Sequence, residues 1–325
     1  MNWASNRRLI AILIVLLALA VPLSLLAGRV WIDPLAPETR NAAVIVLQLR
    51  LPRAMLALVV GAGLGGAGAA MQGYLRNPLA DPGLFGIAPG AALGAVLSFW
   101  TGYAASAWLL PVFALAGAGG AMALLALIAG REAGVALFTM TGLMISSLAG
   151  SLTSLALSLS PNPFAMSEIV TWLMGALADR SWREVAVAAP LTLAGLAVLL
   201  ATGRGLDALT LGETAARLLG FEPRRQQVLM IVGIGLTVGA SVAVAGVIGF
   251  VGLMVPHLVR PLTDRRPGSL LVPSALAGAL LVLVADAGCR VLPLAGGELR
   301  LGVALALIGA PFFLVLLLRM RRGLA

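Results

Sequence analysis

The chain of 325 residues contains no lysine; all 22 of its basic residues are arginine. A Walker A loop needs its Lys to reach the nucleotide phosphates, so no such loop exists here. If ATP drives this protein, another chain binds it. Cysteine is reduced to Cys289 and histidine to His257. A lone cysteine excludes an intrachain disulfide. A lone histidine removes clustered His metal sites and the usual His-based catalytic constellations, so His257 is read as a packed or capping residue. Hydrolase elbows and metalloprotease helices are also missing, which argues against an enzyme in its own right. Charge is scarce, at 11% of residues, whereas 60% are hydrophobic and the mean hydropathy is +1.03.

What fills the chain instead is apolar runs of membrane-spanning length, which a soluble globule of this size does not need. They fall near 9–27, 53–73, 82–100, 107–129, 137–158, 183–203, 227–246, 248–262, 270–292 and 301–319, ten in all, with the eighth short. The expectation is an all-α polytopic membrane protein, one transmembrane domain over 1–325, with a cytoplasmic loop at about 204–227. Arg7 and Arg8 precede the first run, as in a signal peptide, but its length favours a retained helix. Ten crossings return the C-terminus to the side of the N-terminus. Arg7, Arg8, Arg319, Arg321 and Arg322 place both ends in the cytoplasm by the positive-inside rule. The same count puts Arg76, Arg131, the 204–226 loop, Arg260, Arg265 and Arg266 inside, fourteen arginines in and eight out.

Gly61, Gly65 and Ala69 recur four apart on the second run, with Gly63, Gly66 and Gly68 beside them, a spacing that lets helix backbones approach closely. A weak internal echo links 53–100 to 228–292: a Gly- and Ala-rich span, a polar patch with proline ("RNPLADPG", "VPHLVRPLTDRRPG"), then another span, as in transporter repeats. Along the fifth run Ser147, Ser151, Ser154 and Ser158 line one helical face, and Met140 and Met144 extend it. Hydroxyls gain nothing from lipid, so this face is expected to look inward, either bonding a neighbouring helix or forming an uncharged, mildly polar wall. Asp286 lies within the ninth run and is a functional candidate by default. Arg290 stands four residues later on the same face, which favours a structural pair over a proton relay.

The stretch "GETAARLLGFEPRR" interrupts the apolar pattern at 212–225. Thr210 and Glu213 have capping-box spacing, which predicts a helix from 211, with Glu213 pairing Arg217. Ala215, Leu218 and Leu219 make an apolar face, Gly220 suits the C-cap, and Pro223 discourages continuation. So short a helix is not stable alone in water, so its face must pack on its own membrane helices or on a cytoplasmic partner.

At these residues the chain resembles the FecCD-type permeases, the membrane subunits of type II ATP-binding-cassette importers for iron siderophores, haem and cobalamin. The resemblance is carried by "LRLPRAMLALVVGAGLGGAGAAMQGYLRNPLADPGLFGIAPGAALGA", "LGETAARLLG", "GVIGFVGLMVPHLVR" and "GELRLGVALALIGAPFFLVLLLR". It implies a bacterial inner-membrane permease working as two copies, with two ATPase subunits below and a periplasmic binding protein above. It implies no cofactor in this chain, ATP and Mg residing in the partner. It makes 212–227 the segment seated in a groove of the ATPase, so that Glu213, Ala215, Arg217, Leu218, Leu219 and Gly220 carry the coupling. Arg50, Arg53 and Arg290 become receivers of binding-protein glutamates, for which the planar guanidinium is suited; headgroup anchoring is the alternative. The fifth helix lines the pathway, and matching along "ALFTMTGLM" puts a cytoplasmic gate near Val135 and Ala136, where this chain has no hydroxyl. The lack of clustered His or Tyr argues against iron ligation during passage, and an iron chelate, haem included, is favoured over cobalamin. The alternative function is an ion-gradient-driven secondary transporter using Asp286. A passive channel would need charged or carbonyl-lined filters, of which there is no clear candidate.

Overall fold

A computed structural model of the chain describes residues 3–28, 43–102, 106, 108–130, 135–160, 162–292 and 297–322. Arg131 lies outside the described residues, as does the side chain of Val135. Apolar runs fold as helices because a spanning segment must satisfy its backbone groups internally. The helices are α1 (Trp3–Leu26), α2 (Leu51–Tyr74, entered through a π-helical turn Ile45–Arg50), α3 (Ile87–Trp100), α4 (Leu109–Ala129) and α5 (Val135–Ser158). There follow α6 (Pro163–Leu173), α7 (Trp182–Ala201), α8 (Gly203–Leu209), α9 (Glu213–Leu218), α10 (Pro223–Ala245), α11 (Val251–Val259), α12 (Pro267–Val291) and α13 (Leu301–Arg322). Among the described residues, eight helices are long and apolar enough to cross a membrane, and the shorter Ile87–Trp100 and Val251–Leu262 complete the expected ten.

Two boundaries differ from the expectation for local reasons. The third run starts at 87 because the Asp81 carboxylate takes the Gly83 N–H at 2.7 Å, folding Pro82–Phe85 into a 3-10 turn first. Helix α6 was not anticipated: the Asn162 side chain accepts the Ala165 N–H at 2.8 Å, Pro163 occupies the first turn, and Ile169 and Trp172 bury one face.

The glycine-rich second run becomes the central helix. A Cβ on Gly61 would collide with the Gly278 carbonyl, and one on Gly65 with the Ser274 carbonyl, so α2 and α12 pack backbone to backbone. Gly68 makes the same approach to Gly252 of α11, while Gly63 and Gly66 admit Thr192 and Leu196 of α7. Helix α2 is therefore enclosed on several faces. The two stretches linked by the internal echo share some features and differ in register. Helices α2 and α10 are each 78% buried over their most apolar stretch. Each leads to a short helix entered through a left-handed residue, Gly86 (φ 80°) before α3 and Phe250 (φ 67°) before α11. The polar patch at 255–268 begins inside α11 and runs past its end, so it does not correspond to the patch at 76–83, which precedes α3.

Candidate functional site: the exposed short helix, the arginine end and the open face

Helices α8 and α9 stand where the charged insert interrupts the apolar chain. The expected capping box does not form. Thr210 is the C-cap of α8, its hydroxyl donating to the Asp207 carbonyl at 2.6 Å, and the N-cap of the next helix falls two residues later, at Gly212, out of reach of the predicted cap. Gly212 at φ 97° opens α9 without a side-chain cap. No ion pair joins Glu213 to Arg217 among the described residues.

The C-terminal end follows the expectation. Phe221 N–H bonds the Ala216 carbonyl at 3.0 Å and Gly220 N–H the Arg217 carbonyl at 2.9 Å, with Gly220 at φ 84°, which is a Schellman closure. The helix is anchored by Ala216, fully buried and not part of the expected apolar face, whereas Ala215 of that face is half-buried. Leu218 is 86% exposed and Leu219 58%. Two leucines thus stay exposed on a short helix anchored to the chain through Ala216.

At the other end of the bundle the three arginines expected to meet a binding protein all have acceptors inside the chain. Arg50 donates to the Leu25 and Leu26 carbonyls, both at 2.8 Å, and so closes the C-terminus of α1. Arg53 grips both oxygens of Asp286, with Nε at 3.0 Å from each, and reaches Glu298 at 2.7 Å. Arg290 lies 3.3 Å from the same Asp286 and donates to the Ala27 carbonyl at 3.2 Å. Asp286 is wholly buried. It is the centre of a structural cluster joining α1, α2 and α12, and the Asp286–Arg290 pair is as read from the sequence. A docking carboxylate would have to share or displace these internal partners. Arg53 and Glu298 are 245 positions apart, and no sequence signal pointed to that pair.

Helix α5 packs through Phe138, Thr141, Ile145 and Ala149, with Phe138 edge-on to Tyr74 and tilted against Phe85. The opposite face carries the predicted stripe. Met140, Met144, Ser147, Ser151, Ser154 and Ser158 are all exposed on the single chain, so the stripe does not turn into this chain's own bundle. Ser154 returns its hydroxyl to the Gly150 carbonyl at 3.0 Å. Ala136, at the foot of the helix, is exposed as well. His257 packs edge-on to Phe312 at 5.9 Å. Among the described residues no group of three His, Cys, Asp or Glu could hold a metal ion.

This arrangement has close counterparts among known proteins. The FecCD transport family pattern matches residues 9–319. The uncharacterized ABC transporter permease protein YvrB of Bacillus subtilis is 38% identical over 86% of this chain and 80% of its own. The vitamin B12 import system permease protein BtuC of Citrobacter koseri is 38% identical over 98% of this chain and 96% of its own. A solved inward-facing transporter, classed as of metal-chelate ABC type, superposes with TM-score 0.89 at 32% identity, covering 96% of this chain and 99% of that one. Eight helices of spanning length with two shorter apolar ones among the described residues, a charged helical insert and homology over nearly the full length agree: the chain belongs to the FecCD transport family, as a non-enzymatic permease subunit of an ATP-binding-cassette importer.

Proposed function

We propose that this permease moves a bulky metal chelate from periplasm to cytoplasm by alternating access, as a pair of identical subunits served by two ATPase subunits and a periplasmic binding protein. The observation that carries the reading is the exposed pair Leu218 and Leu219 on a helix already fixed to the chain by Ala216. Burying a leucine contributes about 1.5–3 kcal/mol, and a rigid helix presents that surface to an ATPase groove without first having to be ordered. ATP binding and hydrolysis then bias the permease only so far as the nucleotide states prefer one permease arrangement over the other. Both chain termini and the α8–α9 insert lie in the cytoplasm. The open, uncharged face of α5 fits a pathway wall shared between two copies: serine hydroxyls hydrate a large cargo, and no strong ligand holds it. Val135 and Ala136 stand at its cytoplasmic approach, where a gate would close.

The cargo class is supported by relatives whose names specify vitamin B12 import and by a structure classed as metal-chelate type. The preference for an iron chelate rests on composition alone, so cobalamin is tested on equal terms.

The test is uptake into proteoliposomes holding the permease with its ATPase, supplied outside with binding protein loaded in turn with haem, ferric siderophore or cobalamin. Uptake should require internal ATP and the binding protein, and the best-transported ligand names the cargo. Uptake that ignores ATP and follows an imposed proton gradient would overturn the proposal. Leu218→Asp should abolish ATPase co-purification and uptake together while leaving the unfolding midpoint of the permease unchanged.

A further inference from the structure

Beside the α8–α9 insert, at the end of the bundle opposite Asp286, lies a cavity of about 220 Å³ that the transport mechanism above does not use. Three arginines line it: Arg76 just past α2, Arg260 just past α11, and Arg265 just before α12. Thr210 closes one side, and Pro267 and Leu270 supply apolar wall.

Arg76 and Arg265 hold left-handed backbone conformations, at φ 51° and 62°. Non-glycine residues keep that geometry only where their surroundings over-determine it, and such positions cluster at ligand clamps. Arg260 is fixed differently. Buried Gln72 donates to the Leu253 carbonyl at 3.1 Å and accepts from Arg260 at 2.8 Å, which locks the guanidinium in place. The buried Nε of Arg260 is left without an acceptor.

No carboxylate lines the cavity. Two of the nearby acids are engaged elsewhere. Asp207 accepts the Gly268 N–H at 2.8 Å. Asp264 binds the Ser269 hydroxyl and the Arg266 N–H; burial opposes its ionisation, but these bonds outweigh burial and hold its pKa below the usual carboxylate value. Three guanidiniums with no acid among the cavity-lining residues, one with an unused buried donor, suit an anion with several acceptor oxygens. Phosphate oxygens match the guanidinium fork.

We propose that this cavity binds a phosphate-bearing anion. Its place at the ends of α2 and α12, with Pro267 and Leu270 as apolar wall, suits the headgroup of an anionic phospholipid, since basic pockets between membrane helices select such headgroups. Free phosphate presents the same chemistry, and the experiment separates the two sources. The proposal does not depend on which chelate is carried.

The test uses the full permease purified in detergent with its ATPase. Native mass spectrometry measures retention of phosphatidylglycerol against phosphatidylcholine of equal chain length, and thermal unfolding compares inorganic phosphate with chloride at matched ionic strength. Arg76→Gln with Arg265→Gln removes two exposed lining charges and spares the Gln72–Arg260 link. Arg224→Gln with Arg225→Gln removes equal charge outside the cavity.

Preference for phosphatidylglycerol should fall by about tenfold in the first pair and stay in the second. A phosphate-dependent rise in unfolding midpoint that is lost only in the first pair, with no lipid preference, assigns the site to free phosphate. Equal behaviour of wild type and both pairs in both assays would overturn the proposal, as would equal losses in the two pairs. Should the first pair unfold early in chloride, the single substitutions are read in the same way.

Discussion

Helices α2 and α12 run antiparallel, and arginines mark both ends of the pair. At one end Arg53 and Arg290 close on Asp286, with Glu298 at the rim. At the other, Arg76 and Arg265 flank the same two helices with no carboxylate lining the cavity between them. The glycine contact of Gly61 and Gly65 with Gly278 and Ser274 lies between. The first end is neutralised within the chain and holds helices together; the second keeps its charge available. The lesson is that arginine at a helix end says nothing by itself about partners. What decides its role is whether a carboxylate from a distant part of the chain reaches it.

The strongest way to break this comparison is Asp286→Asn. It leaves two buried guanidiniums facing an uncharged amide, and removing one member of a buried ion pair costs about 3–5 kcal/mol. Arg53 is 12% exposed and Arg290 5%, so solvent offers little relief. The expected result is a large drop in unfolding midpoint and in folded yield, read by fluorescence-detected size exclusion. A variant that folds normally, binds its partners and yet fails to transport would return Asp286 to the role of proton relay.

Next in size is the contact between the two ends. Gly278→Leu must push α2 away from α12, because a side chain there meets the Gly61 carbonyl and not a movable side chain. Overpacking of this kind costs about 3 kcal/mol, and here backbone must shift to relieve it. Gly288→Ala is the matched control, since a Cβ there meets nothing within 4 Å. Equal midpoints for the two variants would show that the glycine seam does not hold the helices.

Much of this was legible in the sequence. Spanning helices announce themselves by length, the glycine seam by four-residue spacing, and the Asp286–Arg290 pair by lying one turn apart. The Gly220 closure was readable because left-handed backbone after a helix strongly favours glycine. The misses share a cause, which is that local patterns do not say what lies beside them in space. Thr210 and Glu213 had capping-box spacing, but Thr210 already ended α8, a helix hidden in polar sequence. Arg53 and Asp286 are 233 positions apart. The α5 stripe was rightly read as one face, but spacing cannot tell a face turned into its own bundle from one left open on the chain surface. Helix α6 spans only 11 residues, interrupted by Ser167, Glu168 and Thr171, too short to register as an apolar run.

The smallest expected effect sharpens the comparison most. Glu298 is 31% exposed and bonds only the outer side of Arg53, whose charge Asp286 already meets. Glu298→Gln should therefore change stability by about 1 kcal/mol or less, because Asp286 still meets the charge of Arg53 and the amide oxygen can still accept from it. Its effect on partner binding runs the other way. The carboxylate at the rim competes with any glutamate that a binding protein brings to Arg53, so its removal should tighten docking several-fold at low salt and less at high salt. Docking measured by surface plasmon resonance across a salt series reads this directly. Tightened docking would make this end a partly neutralised socket. Unchanged docking with unchanged stability would confine Arg53 to the α1–α2–α12 cluster, and the two ends of the helix pair would then differ completely: one closed upon itself, the other open to an anion.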